Sequence, residues 1–252
     1  MTDVRGLAAR LDEARRDGRP IGMLSASEPR LDVSAAYDVQ RAGIELRRRS
    51  GERFAGVKMG FTSRAKMVQM GVDDVIWGQL TDRMLIESTA EVSGLIHPRV
   101  EPEIVFLVGR DVTRAADVDT AVAGVAVGYE ILDSRYDGFK FTLADVIADN
   151  ASASGFGVGA WRDPRDVAGL ANVGMILEID GRVVQTGSSA AILGDPMRAL
   201  RAAARLATDA GIVLRAGDIV LAGAATAAVP LPKDAHVRVT GAGLGSVEVT
   251  TR

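Results

Sequence analysis

Cysteine is absent from this chain. No disulfide, thiolate metal site or cysteine nucleophile can be built from it. Histidine is scarce: only His97 and His236 occur. A histidine-rich zinc or iron centre is excluded within one chain, and a Ser-His-Asp arrangement would have to use one of these two rings. A positive excess is also missing. Thirty Lys and Arg stand against 33 Asp and Glu, so there is no broad positive field for nucleic acid or an anionic membrane surface. No apolar run is long enough to span a bilayer. The opening MTDVRGLAARLDEARRDGRP is charged throughout and lacks the apolar stretch of a secretory signal. The expectation is a cytoplasmic protein with no membrane or nucleic-acid partner. A metal site here would have to use oxygen ligands, which favours Mg, Mn or Ca.

The 252 residues, 47% of them hydrophobic, suffice for a large core in one domain or two small ones. The spacing predicts a helix over 3–17, with Thr2 as N-cap and Leu7, Leu11 and Ala14 on one face. A second helix is expected from about 34 to 49, with Arg47, Arg48 and Arg49 at its negative end. A short helix in TSRAKMVQMG is capped by Thr62 or Ser63 and closed by Gly71. Beyond Gly71, short β-rich runs dominate at 83–87, 103–109, 121–132, 173–185, 218–222 and 235–249. Helical stretches interrupt them near 140–150 and at 196–209, the latter with Asp195 as N-cap and Pro196 at its first position. Strands and helices do not alternate regularly, so a doubly wound sheet is not expected. The fold class is read as α+β, with a small helical N-terminal part (1–70) packed on a β-rich body (71–252) as one functional unit.

The stretch VEPEIVFLVG, 100–109, places Glu101 and Glu103 two apart. In a strand both point to one face, while Val100, Ile104, Phe106 and Val108 point to the other. The bland alternative is a wet strand face. A third acid, Glu130, lies inside the apolar run VAGVAVGYEIL, where a lone carboxylate is costly unless paired or metal-bound. Three oxygen ligands on two strands suit magnesium. Asp133 and Arg135 follow, and a local ion pair accounts for them. Lys58, in GVKMGF, is either a snorkelling strand residue or a desolvated lysine suited to proton transfer. The loop ADNASASGFGVG offers Asp149, Asn150, Ser152 and Ser154 to a ligand, or simply ends a helix. The loop in AGDIVLAGAATAAVPL could hold a carboxylate through backbone amides and the Thr226 hydroxyl. Neither a P-loop nor a complete dinucleotide fingerprint is present.

Taken in order, VKMGFTS, HPRVEPEIVF, YEILDSRY, ADNASASGFGVG, AGDIVLAGAATAAVPL and GLGSVEV resemble the family of 2-keto-4-pentenoate hydratases and 4-oxalocrotonate decarboxylases of aromatic meta-cleavage pathways. The resemblance covers nearly the whole chain. It implies the β-rich fold of the fumarylacetoacetate hydrolase C-terminal domain and a Mg2+ or Mn2+ cofactor. It implies Glu101, Glu103 and Glu130 as metal ligands and Lys58 as the active-site lysine. Ile76 and Asp149 join Lys58 as expected catalytic positions. Met59, Gly60, Phe61, Trp77, Ser154 and Thr226 are expected along the substrate.

Hydratases of this family carry an Asp before an aromatic residue and Gly shortly after the lysine motif. Here DDVIWGQL has Ile76 at that position, which resembles the decarboxylase branch, as do KMGFTSRAKMVQMGV and SRYDGFKF. The implied reaction is metal-dependent decarboxylation of 4-oxalocrotonate to 2-hydroxypenta-2,4-dienoate, with Lewis-acid help where charge develops. The alternative is hydration of 2-hydroxypenta-2,4-dienoate. Hydrolysis of an acylpyruvate would need a His–Glu arrangement on the N-terminal side, and no histidine precedes His97. The non-enzyme alternative is a dead supporting subunit, against which the intact Glu101, Glu103, Glu130 and Lys58 speak. The expected partners are a small 2-oxo or 2-hydroxy dienoic acid, further copies of the chain as a homo-oligomer, and a hydratase of the same family.

Overall fold

The computed structural model describes residues 2–167 and 169–252. Three helices open the chain: α1 (Val4–Asp17), α2 (Leu24–Ser27) and α3 (Val33–Arg49). Asp3, rather than Thr2, caps α1, its carboxylate accepting the Gly6 amide at 3.0 Å. Such a cap is worth about 1 kcal/mol, and an anion also suits the positive helix end. Asp32 caps α3 in the same way through Ala35, at 2.8 Å. Leu7, Ala8 and Leu11 of α1 share a core with Ala36 and Val39 of α3 and with Tyr136, Val146 and Ile147. No helix among the described residues is long and apolar enough to cross a membrane.

The main sheet runs in the order β2 (Ile76–Thr81), β1 (Phe54–Gly60), β9 (Ile219–Ala224), β4 (Arg99–Val108), β5 (Val122–Leu132) and β6 (Ala153–Val158), with β10 (Val229–Pro230) pairing on β4. β1 lies within the stretch read as the helical N-terminal part, yet it is an interior strand of this sheet. A second sheet has the order β3 (Thr89–Ala90), β12 (Gly245–Thr251), β11 (His236–Gly241), β7 (Gly174–Ile179) and β8 (Arg182–Ser188).

The expected runs 173–185 and 235–249 are each a hairpin rather than one strand. The first turns at Asp180 and Gly181, both with positive φ (50° and 72°), the pairing favoured in a tight right-twisted hairpin. The expected strand at 83–87 is not formed. Asp82–Met84 is a single 3-10 turn, and the strand is β2, just before it. Asp82 explains the stop: its carboxylate takes the Arg53 amide at 2.9 Å and the Arg53 guanidinium at 2.8 Å, which pins the end of β2 beside the start of β1.

Strand alternation gives the main sheet two different faces. Val57 and Met59 of β1, Ile104 and Phe106 of β4, and Val127, Tyr129 and Ile131 of β5 point to one of them. There they pack against Leu177, Val237, Val239 and Val249 of the second sheet and against Ala199, Leu200, Ala203 and Ala207 of α6 (Pro196–Asp209). Each large aliphatic chain buried there contributes about 2 kcal/mol. Lys58, Glu101, Glu103 and Glu130 necessarily point the other way. On that side the β2 edge is covered by α5 (Leu143–Ala148) and the turn that follows it. The C-terminal ends of β1, β5 and β9 and the N-terminal ends of β2, β4 and β6 all meet at one edge of the sheet. The site is built at that edge.

Candidate active site

Glu101 of β4 and Glu130 of β5 are direct cross-strand partners, and Glu103 is one alternation further along β4. One carboxylate oxygen from each lies within 4.8 Å of the others. Glu103 and Glu130 are completely buried. Burial is the main reason that all three are pushed above the usual carboxylate range. Glu130 is raised to about 8, and Glu103 is raised further by the charges of Glu130 and Glu101. Like charges held this close, out of water, repel strongly.

The protein compensates only part of that charge. Lys58 Nζ lies 3.0 Å from Glu130 Oε2, a contact that is ionic but outside hydrogen-bond geometry. The Gly223 amide donates to Glu103 Oε2. Among the described residues, Glu103 Oε1 and both Glu130 oxygens accept no hydrogen bond. Buried acceptors left this way cost several kcal/mol unless something binds them. Three converging carboxylates, two of them with buried oxygens left without a hydrogen bond among the described residues, fit a hard divalent cation.

Lys58 is buried and does not snorkel. Its Nζ donates to the Ala151 carbonyl at 2.9 Å. That carbonyl is presented by an unusual turn: Asn150, Ala151 and Ser152 all have positive φ (51°, 52° and 59°). Three such non-glycine residues in a row cost about 1 kcal/mol each or more. Two clamps hold them. The Asn150 amide pairs with the backbone of Gln79, accepting from its N–H at 2.8 Å and donating to its carbonyl at 2.9 Å. The approach is close enough that a Cβ on Gly78 would sit 2.6 Å from the Asn150 carbonyl oxygen. On the other flank, Asp149 is bound by Arg135 through its side chain, its carboxylate on the Arg135 amide and its carbonyl on the guanidinium.

The sequence-predicted residues therefore divide. Glu101, Glu103, Glu130 and Lys58 come together. Ile76 pairs with Gly60 in register and shares the Lys58 face, two positions along. Asp149 is buried and committed to Arg135, with burial raising its carboxyl to about 6 against the pull of Arg135. Met59 and Trp77 are register partners whose side chains point to the opposite face, into the core between the sheets. Trp77 stacks there on Tyr37 with centroids 6.0 Å apart. Phe61 packs with the helical cluster. Ser154 is the extra residue where β6 slips its register against β5, and the Thr226 hydroxyl donates to the Ala227 carbonyl at 3.1 Å.

Some neighbours are not apparent from sequence. Thr62 is buried against Gly223: a Cβ at Gly223 would sit 2.1 Å from Thr62 Oγ1. The backbone of Gly223, at φ 112°, is a conformation that glycine alone adopts freely, and it aims the amide at Glu103. Ser63, not Thr62, caps α4 (Arg64–Met70). The local ion pair expected of Asp133 and Arg135 is replaced by Arg135–Asp149, while Asp133 accepts the amides of Ile96 and His97. His97 Nε2 lies 2.9 Å from the Tyr136 carbonyl, so this ring is tied to the backbone.

A model of the fumarylacetoacetate (FAA) hydrolase C-terminal family matches residues 60–252. The chain belongs to this family. Among FAA hydrolase relatives, it is 50% identical over 250 residues to a 4-oxalocrotonate decarboxylase of Pseudomonas sp, covering 97% of this chain and 96% of the relative. It is 36% identical to a 2-keto-4-pentenoate hydratase of Burkholderia vietnamiensis (strain G4 / LMG 22486), with 98% and 97% covered. Its backbone matches that of the 4-oxalocrotonate decarboxylase from Pseudomonas putida G7, complexed with magnesium and adipate, with a TM-score of 0.94, 34% identity, and 100% and 99% of the two chains covered. The mixed α+β fold with curled sheets is thus that of the FAA hydrolase C-terminal family.

Proposed function

We propose that the chain is a metal-dependent lyase that decarboxylates 4-oxalocrotonate (2-oxohex-3-enedioate) to 2-hydroxypenta-2,4-dienoate and CO2. The observation that carries this reading is the buried, partly orphaned trio Glu101, Glu103 and Glu130 beside Lys58, in a chain half identical to a 4-oxalocrotonate decarboxylase. These three carboxylates would hold Mg2+ or Mn2+, which when bound supplies Lewis acidity at the 2-oxo acid end of the substrate.

The residues of the chain account for the rest. In the reaction the C5–C6 bond breaks and its electron pair moves through the C3=C4 bond to the 2-oxo oxygen. CO2 leaves and the oxygen takes a proton. An ammonium group has three donors. One from Lys58 is held by Ala151, the charge faces Glu130, and a third is free for the oxygen on which charge develops. Ile76 keeps that face apolar and supplies no base to activate water. Asp149 acts through Arg135 as a positioning residue for the 150–152 turn. The substrate is expected to lie beside Gly60, Phe61, Ser154 and Thr226, with Met59 and Trp77 backing the site from the core.

Residues 1–70 and 71–252 act as one unit in this reading, since the first supplies Lys58 and the second the carboxylates. Cytoplasmic residence, homo-oligomerisation and association with a hydratase of the same family belong to the same proposal. Light scattering on the purified protein, alone and mixed with such a hydratase, tests the last two.

Hydration of 2-hydroxypenta-2,4-dienoate is the second reading, favoured by the 36% identical hydratase. Both readings share the metal site, so products decide. The experiment is to mix the protein with 4-oxalocrotonate and MgCl2, with and without EDTA, and follow CO2 and the organic product. EDTA-sensitive CO2 release with 2-hydroxypenta-2,4-dienoate accumulating is expected. No CO2, but conversion of supplied dienoate to 4-hydroxy-2-oxopentanoate, replaces it with the hydratase reading.

A further inference from the structure

Arg99 is the first residue of β4 and stands one alternation outside Glu101, so its side chain leaves the sheet on the carboxylate face. It pairs in register with Leu132 of β5 and Pro230 of β10, at the open edge of the sheet. Its guanidinium carbon lies 4.6 Å from the centre of the Phe139 ring. That ring is itself wedged between His97 and Phe141, each with centroids 5.7 Å away. Gly138 and Phe139 both have positive φ (61° and 59°), a strained turn that fixes the ring beneath Arg99. Among the described residues, no hydrogen bond or ion pair engages the guanidinium. Stacking on a ring leaves the N–H edge of an arginine open, and that edge matches a carboxylate.

We propose that Arg99 binds the second carboxylate of a dicarboxylate substrate, the one remote from the three glutamates. The inference rests on the decarboxylase reading, whose substrate carries that group; the hydratase substrate lacks it. Charge supports it. Glu101, Glu103 and Glu130 set three negative charges against Lys58 and, acting on Glu101, Lys66, so a divalent ion leaves at most one positive charge. A dianionic substrate adds two negative charges, and its remote carboxylate needs a cation of its own. Reach supports it as well. One alternation along a strand is about 6.6 Å, and the ends of an extended six-carbon diacid are about 6 Å apart for C–C bonds of about 1.5 Å. The guanidinium attracts the carboxylate and not neutral CO2. Arg99 thus acts on binding and on the choice between mono- and dicarboxylates, and its hold disappears once the bond has broken.

The test uses the Mg2+-loaded full chain and calorimetric titration with two unreactive probes, adipate and the monocarboxylate 2-oxopentanoate. For Arg99→Met, adipate affinity is expected to fall at least tenfold and 2-oxopentanoate affinity to change less than threefold. Phe139→Leu keeps the packing but removes the ring face, and should weaken adipate in the same direction by a smaller factor. If Arg99→Met does not fold, as judged by circular dichroism, Arg99→Gln takes its place with the same expected outcome. Equal weakening of both probes, an unchanged adipate affinity, or wild-type protein that binds 2-oxopentanoate but not adipate would overturn the assignment. Failure of the decarboxylase reading is seen separately, as no CO2 from 4-oxalocrotonate with unaltered protein.

Discussion

Lys58 and Glu130 form an ion pair, Nζ to Oε2 at 3.0 Å, with both side chains out of water. Among the described residues, removing the cation leaves the carboxylate without an ion-pair partner. Lys58→Met should lower kcat by about 100-fold or more, the scale of a lost proton donor. It should also raise the Glu130 pKa further, because Lys58 opposes the effect of burial there. Steady-state kinetics and Mg2+ titrations over a pH series check both. A kcat within threefold of wild type would remove Lys58 from the chemistry.

The metal-free protein should lose stability as pH rises. Burial moves Glu130 from 4.5 to about 8, so between these values the folded chain holds a proton that the unfolded chain has released. The stabilisation is complete below about pH 4.5 and is lost as pH climbs to about 8. Metal binding needs the ionised carboxylates, so Mg2+ affinity rises across the same interval and protons are released. Thermal melts with EDTA should show a falling Tm over this range, and the gain in Tm on adding MgCl2 should widen by at least about 2 °C. A metal-induced gain that shrinks with pH would contradict the ligand assignment.

Ile76→Asp should raise the ratio of hydration to decarboxylation products. It places a carboxylate on the Lys58 face, where Ile76 now packs in the helical cluster. Burying that charge costs about 3 kcal/mol, so assays are best run well below the Tm. Ile76→Val is the control and should cost about 1 kcal/mol with the product ratio unchanged. An unaltered ratio in Ile76→Asp would remove this position as the branch determinant.

Asp149→Asn and Arg135→Met should each destabilise the fold by about 3 kcal/mol, the cost of stranding one member of a buried pair. The double variant should cost much less than the sum, giving a coupling energy above about 1 kcal/mol. Because Asp149 holds the 150–152 turn, Asp149→Asn should lower kcat while leaving Mg2+ affinity within threefold. Loss of metal binding in that variant would instead place Asp149 next to the ion.

Much of the site is legible from strand alternation. Glu101 and Glu103 share one parity of β4, and the register that sets Glu101 opposite Glu130 brings all three to one face. The same alternation sends Met59 and Trp77 to the far face, although their position in the motif beside Lys58 suggests contact with the substrate. Adjacency in a strand separates side chains rather than joining them. β2 is harder to read, since Gly78 sits in the middle of a short run and is explained only by the nearby Asn150 carbonyl. Asp149 looks like a free acid because its partner's approach depends on a turn of left-handed residues, which Asn150, Ala151 and Ser152 do not announce. Helix ends are well marked, with Asp195, Pro196 and Gly211 bracketing α6, because capping is local chemistry.

β9 lies between β1 and β4, although it is among the last strands of the chain. Until residues 219–224 have been made and inserted, β1 has no route to the strands that carry the glutamates, and Gly223 cannot donate to Glu103. A chain truncated before Ile219 would still carry the three glutamates on the paired β4 and β5, yet lack the strand that sets Lys58 and the Gly223 amide against them.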